Sequence, residues 1–230
     1  MKLPEQIATT DIRATDGAYT VLVNDEPLRT PKGHVVQVWS WALANAMADA
    51  IMAAGALDVQ RLTLYALYAT QRDFIEDRIE ETIGAILQHL PGDFVLHPDP
   101  DPALAAQQLP AWAPLLAYLR TVGPELPIGR PLQDVQIPWE ITEALRTQLM
   151  AMTPAQLSVV LQAVTNLGSV VLGILLAQQS LGLDQAVMAL TVSARYVAGQ
   201  TREDSEQVEV FAAEMQEMVR RLMQYAQLSL

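Results

Sequence analysis

The chain has 230 residues, 51% of them hydrophobic and 17% charged, with a formal net charge of −12. That apolar content can bury one substantial core or two small ones. The acidic balance argues against nucleic acid or an anionic membrane surface as partner, because phosphate binding needs clustered Lys and Arg. With no cysteine, a disulfide, a thiol nucleophile and a thiolate metal site are all excluded.

Lys2 and Lys32 are the lysines, and Arg220-Arg221 is the adjacent basic pair. The start, Met1-Lys2-Leu3-Pro4-Glu5, carries neither the apolar stretch of a signal peptide nor an Arg-rich transit sequence, so the expected location is the cytoplasm. Further on the chain reads as β. Tyr19-Thr20-Val21-Leu22-Val23 alternates, Asn24-Asp25-Glu26-Pro27 punctuates and Leu28-Arg29-Thr30 is short and extended. Pro31-Lys32-Gly33 turns, and Val35-Val36-Gln37-Val38 extends again. This predicts a small antiparallel meander. Ser40 is placed to cap a helix with Leu43, Ala46, Met47, Ala50, Ile51 and Ala54 on the face that covers the sheet, and Gly55 stops it.

From about Leu62 the pattern is helical. Leu64, Leu67, Tyr68, Gln71, Ile75, Ile79, Ile83, Ile86 and Leu90 trace one stripe of a long helix ended by Pro91-Gly92. Asp73, Glu76, Asp77, Glu80 and Glu81 line another stripe. Pro98-Asp99-Pro100-Asp101-Pro102 reads as a stiff connector. Helical segments follow at Leu104 to Leu109 and Trp112 to Arg120, then a crossing with Pro124, Pro127, Pro131 and Pro138, then a helix near Ile141 to Met150.

Between Arg146 and Asp184 there is no charged side chain. A membrane span needs about 20 consecutive apolar residues, and Thr153-Pro154, Gln162, Asn166 and Gln178-Gln179 interrupt this run. A buried helix is expected, starting at Pro154 behind a Thr153 to Gln156 capping box, with Val160, Val164, Val171 and Leu175 inside. Gly182-Leu183-Asp184 breaks the chain, and Asp204-Ser205-Glu206-Gln207 opens a last helix through Val208, Phe211, Met215, Met218 and Leu222. The fold class is α+β: a β-rich N-terminal domain with one covering helix over residues 1–58, then a larger all-helical domain over 59–230.

Little in this sequence is catalytic. His34, His89 and His97 are scattered with no HxxH or HxxxH pair, so no metal site is expected. Gly168-Ser169-Val170-Val171-Leu172-Gly173 lacks the Gly-x-Ser-x-Gly spacing of a nucleophile elbow, and its small residues suit close helix approach. No phosphate loop or dinucleotide fingerprint is present, so neither cofactor nor small-molecule substrate is expected. The carboxylates from Asp73 to Glu81 read as a solvated face, with a docking surface for a basic partner as the alternative. Trp112, with Leu115, Leu116 and Tyr118, is either an exposed hot spot or core, and the helical spacing favours core. Met47, Met188, Met215 and Met218 fit buried stripes as well as an adaptable surface.

Taken in order, several segments resemble the ATP-twelve family of assembly chaperones for the catalytic head of ATP synthase. Leu28-Arg29-Thr30-Pro31-Lys32-Gly33 is similar to its Leu/Val-[Lys/Arg]-Thr-Pro-x-Gly hairpin, and Ser40 to Ala48 to its Ser-x-Ala-Leu-Ala-x-Ala-Ile-Ala helix. Leu62-Thr63 with Ala66, Ala69 and Arg72 fits Pro-Leu-Thr-x-Leu-Ala. Gln108 followed by Trp112-Ala113-Pro114-Leu115-Leu116 resembles Gln-x-x-x-Trp-Asp-Pro-Leu-Leu, and Gly168 to Leu172 resembles Gly-Ser-x-Val-Leu. Glu203-Asp204 with Glu206 stands where the family has Trp-Gly-Glu-Asp-x-Glu.

The chain departs from the family pattern at Ala50-Ile51 for Glu-Trp, at Phe94 to Pro98 within Asp-Leu-Leu-Cys-Tyr-Arg, and at Ala113 for Asp. It departs again at Ser193-Ala194-Arg195 and at Thr201-Arg202. The resemblance implies a non-enzymatic chaperone that holds the free alpha subunit until the beta subunit replaces it. Partner-binding candidates are Glu203, Asp204, Glu206, Arg29, Thr30, Gln108 and Trp112. Glu203 and Asp204 serve equally well as a helix cap, and Arg29 and Thr30 as supports of the hairpin. Other readings are an interaction module with a different client, or a small-molecule enzyme using the acidic face with His89 or His97.

Overall fold

The computed structural model describes residues 7–55, 62–123, 135–201 and 205–230. Among the described residues four antiparallel strands come first: β1 (Thr10–Thr15), β2 (Ala18–Val23), β3 (Glu26–Pro27) and β4 (Gln37–Val38). β2 is central. One edge pairs with β1, Ile12 opposite Val21, and the other edge is shared, Leu22 facing Pro27 of β3 and Tyr19 facing Val38 of β4. β1 is absent from the sequence-derived meander. Its signal is the Asp16-Gly17 turn, both residues at positive φ (51° and 82°), the two-residue connection whose twist matches a hairpin.

Helix α1 (Trp41–Ala54) begins where expected: Ser40 accepts from Leu43 N, and Gly55 closes the helix in the left-handed region. Leu43, Ala44, Met47, Ala48 and Ile51 are buried and cover the sheet, whereas Ala50 and Ala54 of the expected face are exposed and Ala46 is half-buried, because the buried stripe is turned toward Ala44 and Ala48. The core is continuous from Val21 through Met47 and Leu67 to Leu222 and Tyr225. The expected boundary between residues 58 and 59 lies outside the described residues, as do Pro124, Pro127 and Pro131. The architecture is α+β, a small antiparallel sheet followed by helices.

The long helix expected from Leu64 to Leu90 is interrupted. It is α2 (Leu64–Thr70), one turn of π-helix (Gln71–Ile75), a break at Arg78, and α3 (Ile79–Gln88). Glu76 N donates to Gln71 O, five residues back, at 3.1 Å, so this turn holds one residue more than an α-helix allows. Then come α4 (Pro102–Ala111), α5 (Ala113–Val122) and α6 (Trp139–Met150).

The charge-free run is two helices rather than one: α7 (Pro154–Leu167) and α8 (Val170–Ala177). Gly168, at φ 71°, ends the first and Ser169 caps the second, its Oγ accepting from Leu172 N. They pack closely because Gly173 has no side chain. A Cβ there would lie 3.0 Å from Val160 Cα and Ala163 Cβ. Val160, Val164, Val171 and Leu175 are buried, as expected. Polar interruptions find partners: Ser158 Oγ donates to Leu67 O at 2.8 Å and Gln162 Nε2 to Thr70 Oγ1 at 3.1 Å. No helix among the described residues is long and apolar enough to cross a membrane.

The Thr153 capping box is complete, Gln156 N donating to Thr153 Oγ1 and Thr153 N to Gln156 Oε1. Thr153→Ala is expected to cost about 1 kcal/mol, read as a lower urea midpoint with unchanged slope; an unchanged midpoint refutes the cap. A helical hairpin closes the chain: α9 (Leu183–Thr201) and α10 (Ser205–Leu228). Met47 and Met215 are buried, whereas Met188 is 58% exposed because it lies on the outward face of α9.

Candidate functional site

The loop from Leu28 to Val36 is built by its own backbone: Val36 N donates to Leu28 O, Thr30 N to His34 O and Gly33 N to Thr30 O, each at 2.8 Å. Gly33 sits at φ 91°, which glycine adopts without strain. Two tyrosines of α2 hold the loop and the strand after it, Tyr65 Oη donating to Arg29 O (2.7 Å) and Tyr68 Oη to Gln37 O of β4 (2.9 Å). Burial first, then the Asp73 charge, push the Tyr65 phenol up to about 12.

The tip is anchored by a residue expected to be solvated. The π turn directs Asp73 inward, where it is buried. Its Oδ1 accepts from Thr30 Oγ1 at 2.6 Å and lies 2.9 Å from His34 Nδ1, and its Oδ2 accepts from Lys32 N at 3.0 Å. Burial pushes this carboxyl up, but the donors from Thr30, His34 and Lys32 outweigh it and hold Asp73 below the usual carboxylate range. Lys32 Nζ donates to Asp73 O at 2.6 Å and lies 4.4 Å from the centre of the exposed Phe74 ring. Of the acidic run, then, Asp73 belongs to the interior.

A second buried carboxylate explains the Gly-Ser-x-Val-Leu segment. Asp93 is fully buried at the N-terminus of α8. Its Oδ2 accepts from Ser169 Oγ (2.9 Å) and Val171 N (3.0 Å), its Oδ1 from Val95 N (3.3 Å). Burial outweighs these bonds and pushes its pKa up to about 6.

The partner-binding candidates divide by location. Thr30, Gln108 and Trp112 are interior rather than at a surface, and each side chain is bonded to another part of the fold. Gln108 accepts from Asp99 N (2.7 Å) and donates to Ser193 Oγ (3.0 Å). Trp112 Nε1 donates to Ala189 O (3.0 Å) and its ring tilts against Phe94. Together they tie α4 and α5 to α9. Arg29 is exposed, with Nη1 donating to Gly33 O at 2.9 Å. Glu206 is exposed on the first turn of α10, and Glu203 and Asp204 lie outside the described residues. Sequence reasoning also missed the surface at Trp39 and Trp41, whose side chains are 79% and 56% exposed. Its signal was two tryptophans flanking a helix cap, one of them at the first helical position. Among the described residues no group of three or more His, Asp or Glu is placed to hold a metal ion.

With Asp73 and Asp93 spent on internal ties and Trp39 and Trp41 facing outward, the chain falls in the class of protein chaperones by the family model that it matches. The model of the ATP12 chaperone protein family matches residues 6–120, half of the chain, and the chain belongs to that family. Its fold is similar to that of Atp12 from Paracoccus denitrificans, with a TM-score of 0.79 at 21% identity over 99% of both chains. A mutant of P. denitrificans Atp12p aligns at 0.80 and 21% identity over 99% of this chain and 98% of that one. The Atu1473 protein from Agrobacterium tumefaciens aligns at 0.80 and 24% identity, covering 96% of this chain and 84% of that one. No curated protein matches the chain.

Proposed function

We propose that the chain is a non-enzymatic, cytoplasmic chaperone for assembly of the ATP synthase catalytic head, binding the free alpha subunit and shielding its beta-facing interface. The observation that carries this reading is the family match over residues 6–120, which spans both partners of the Thr30–Asp73 anchor. A free subunit exposes an apolar patch, and a reversible binder of modest area covers it without becoming obligate. Glu203, Asp204, Glu206 and Arg29 are the proposed contacts. Thr30, Gln108 and Trp112 serve by holding the loop and helices in place. A different client is the second reading, favoured by Ala50-Ile51 in place of the family's Glu-Trp. A small-molecule enzyme is weakened as a reading, since Asp73 is committed to the loop and His97 Nε2 to Pro91 O at 2.7 Å.

The test is suppression of light scattering by aggregating alpha subunit from the same source. Wild-type chain is expected to suppress it; unchanged scattering, where a close family member suppresses it, overturns the assignment. Glu203→Lys is expected to weaken alpha binding roughly tenfold through charge reversal at a contact, with an unchanged melting temperature. Lost stability with intact binding makes Glu203 a cap and nothing more.

A further inference from the structure

A groove of about 930 Å³ runs between α1, the start of α2 and α10, and none of the internal ties already described fills it. Ala42, Ala46, Ala50 and Ala53 lie at the spacing of a single helix face, so this stretch of the wall presents methyl groups to an incoming backbone. Trp41 stands at its edge, with Trp39 two residues earlier. Tryptophan is among the side chains that dominate binding energy at interfaces, and exposed apolar patches mark interaction sites. The opposite wall carries Glu217, which pairs with Arg220 and Arg221. Asp49, on the α1 side, is bonded by the neutral Asn45 amide at 2.8 Å and by no cation, so it is the uncompensated charge of the groove among the described residues.

These features select the occupant. Two copies of a chain with net charge −12 repel one another. A second copy is disfavoured, and a transient partner of opposite charge fits. We propose that the groove receives one amphipathic helix of the client, its small apolar face against the alanine wall and a Lys or Arg reaching Asp49. This deepens the chaperone reading and rests on it for the identity of the client.

The experiment uses the full chain and a peptide of alanine, leucine and lysine of about 18 residues, long enough to be helical in water. A second peptide has the same composition in an order that breaks the apolar face. Calorimetry is expected to show binding of the ordered peptide alone, weakened roughly tenfold by Ala50→Gln and roughly fivefold by Asp49→Asn. Ala50 is exposed and glutamine is a good helix former, so the variant folds. Trp41→Phe is expected to abolish the fluorescence shift on binding. Equal binding of both peptides, or no effect of Ala50→Gln, overturns the groove. The same variant is then tested on alpha subunit. Peptide binding that depends on Ala50, in a chain that ignores alpha, sinks the alpha assignment and leaves the groove standing. Alpha binding indifferent to Ala50→Gln sinks the groove and leaves the assignment.

Discussion

Asp93→Ala is expected to lower the unfolding free energy by about 3–4 kcal/mol, because it strands the Ser169 hydroxyl and the Val171 and Val95 amides away from water. The loss is to be read by urea unfolding at pH 7. The pH dependence is more diagnostic. The folded-state pKa, about 6, lies above the ordinary 3.8, so folding favours the protonated acid. Its contribution is fully present below about pH 4 and is lost as pH rises through about 6. A shift of about two pKa units corresponds to about 3 kcal/mol. Asp93→Asn carries no such titration, so its stability relative to wild type is expected to rise by about that amount between pH 4 and pH 7. A difference that stays flat across this range refutes the buried, proton-hungry carboxyl.

Asp73→Ala is expected to cost about 2–4 kcal/mol and to act locally, since it removes the acceptor of Thr30 Oγ1 and Lys32 N and the partner of His34. Here the pH sign reverses. The carboxyl is held below its ordinary value, so its stabilisation is present above about pH 4 and lost as pH falls through the folded pKa. Hydrogen exchange gives the second readout: the Lys32 and His34 amides are expected to lose protection while Val21 in the central strand keeps it. Uniform loss across loop and sheet means that Asp73 supports the whole domain, contrary to the local anchor.

What was legible in the sequence follows the range of the interaction that decides it. Ser40 and Thr153 bond to amides three residues away, so their caps can be read from adjacent letters. Burial of the charge-free run is legible for a similar reason, because no arrangement of so many aliphatic side chains leaves them in water. Asp73 is different. It resembles Asp77 or Glu80 in any local window, and what separates them is a π turn and a hydroxyl at Thr30, 43 residues upstream. Gln108 and Trp112 stand out as motif letters, yet their partners, Ser193 and Ala189, are 85 and 77 residues away. A recognisable motif therefore marked importance without saying whether the importance was contact or support.

The extra residue in the turn from Gln71 to Ile75 makes loop anchorage a matter of chain length as much as of residue identity. Removing one position there restores ordinary α-helical phase and rotates the side chains from there to the break at Arg78 by about 100° relative to those before it. The directions of the Asp73 carboxylate and the Phe74 ring are thus set by one insertion, not by two separate choices. A relative that keeps Thr30 and the aspartate but lacks the extra residue would carry the same letters in a helix with nothing to hold.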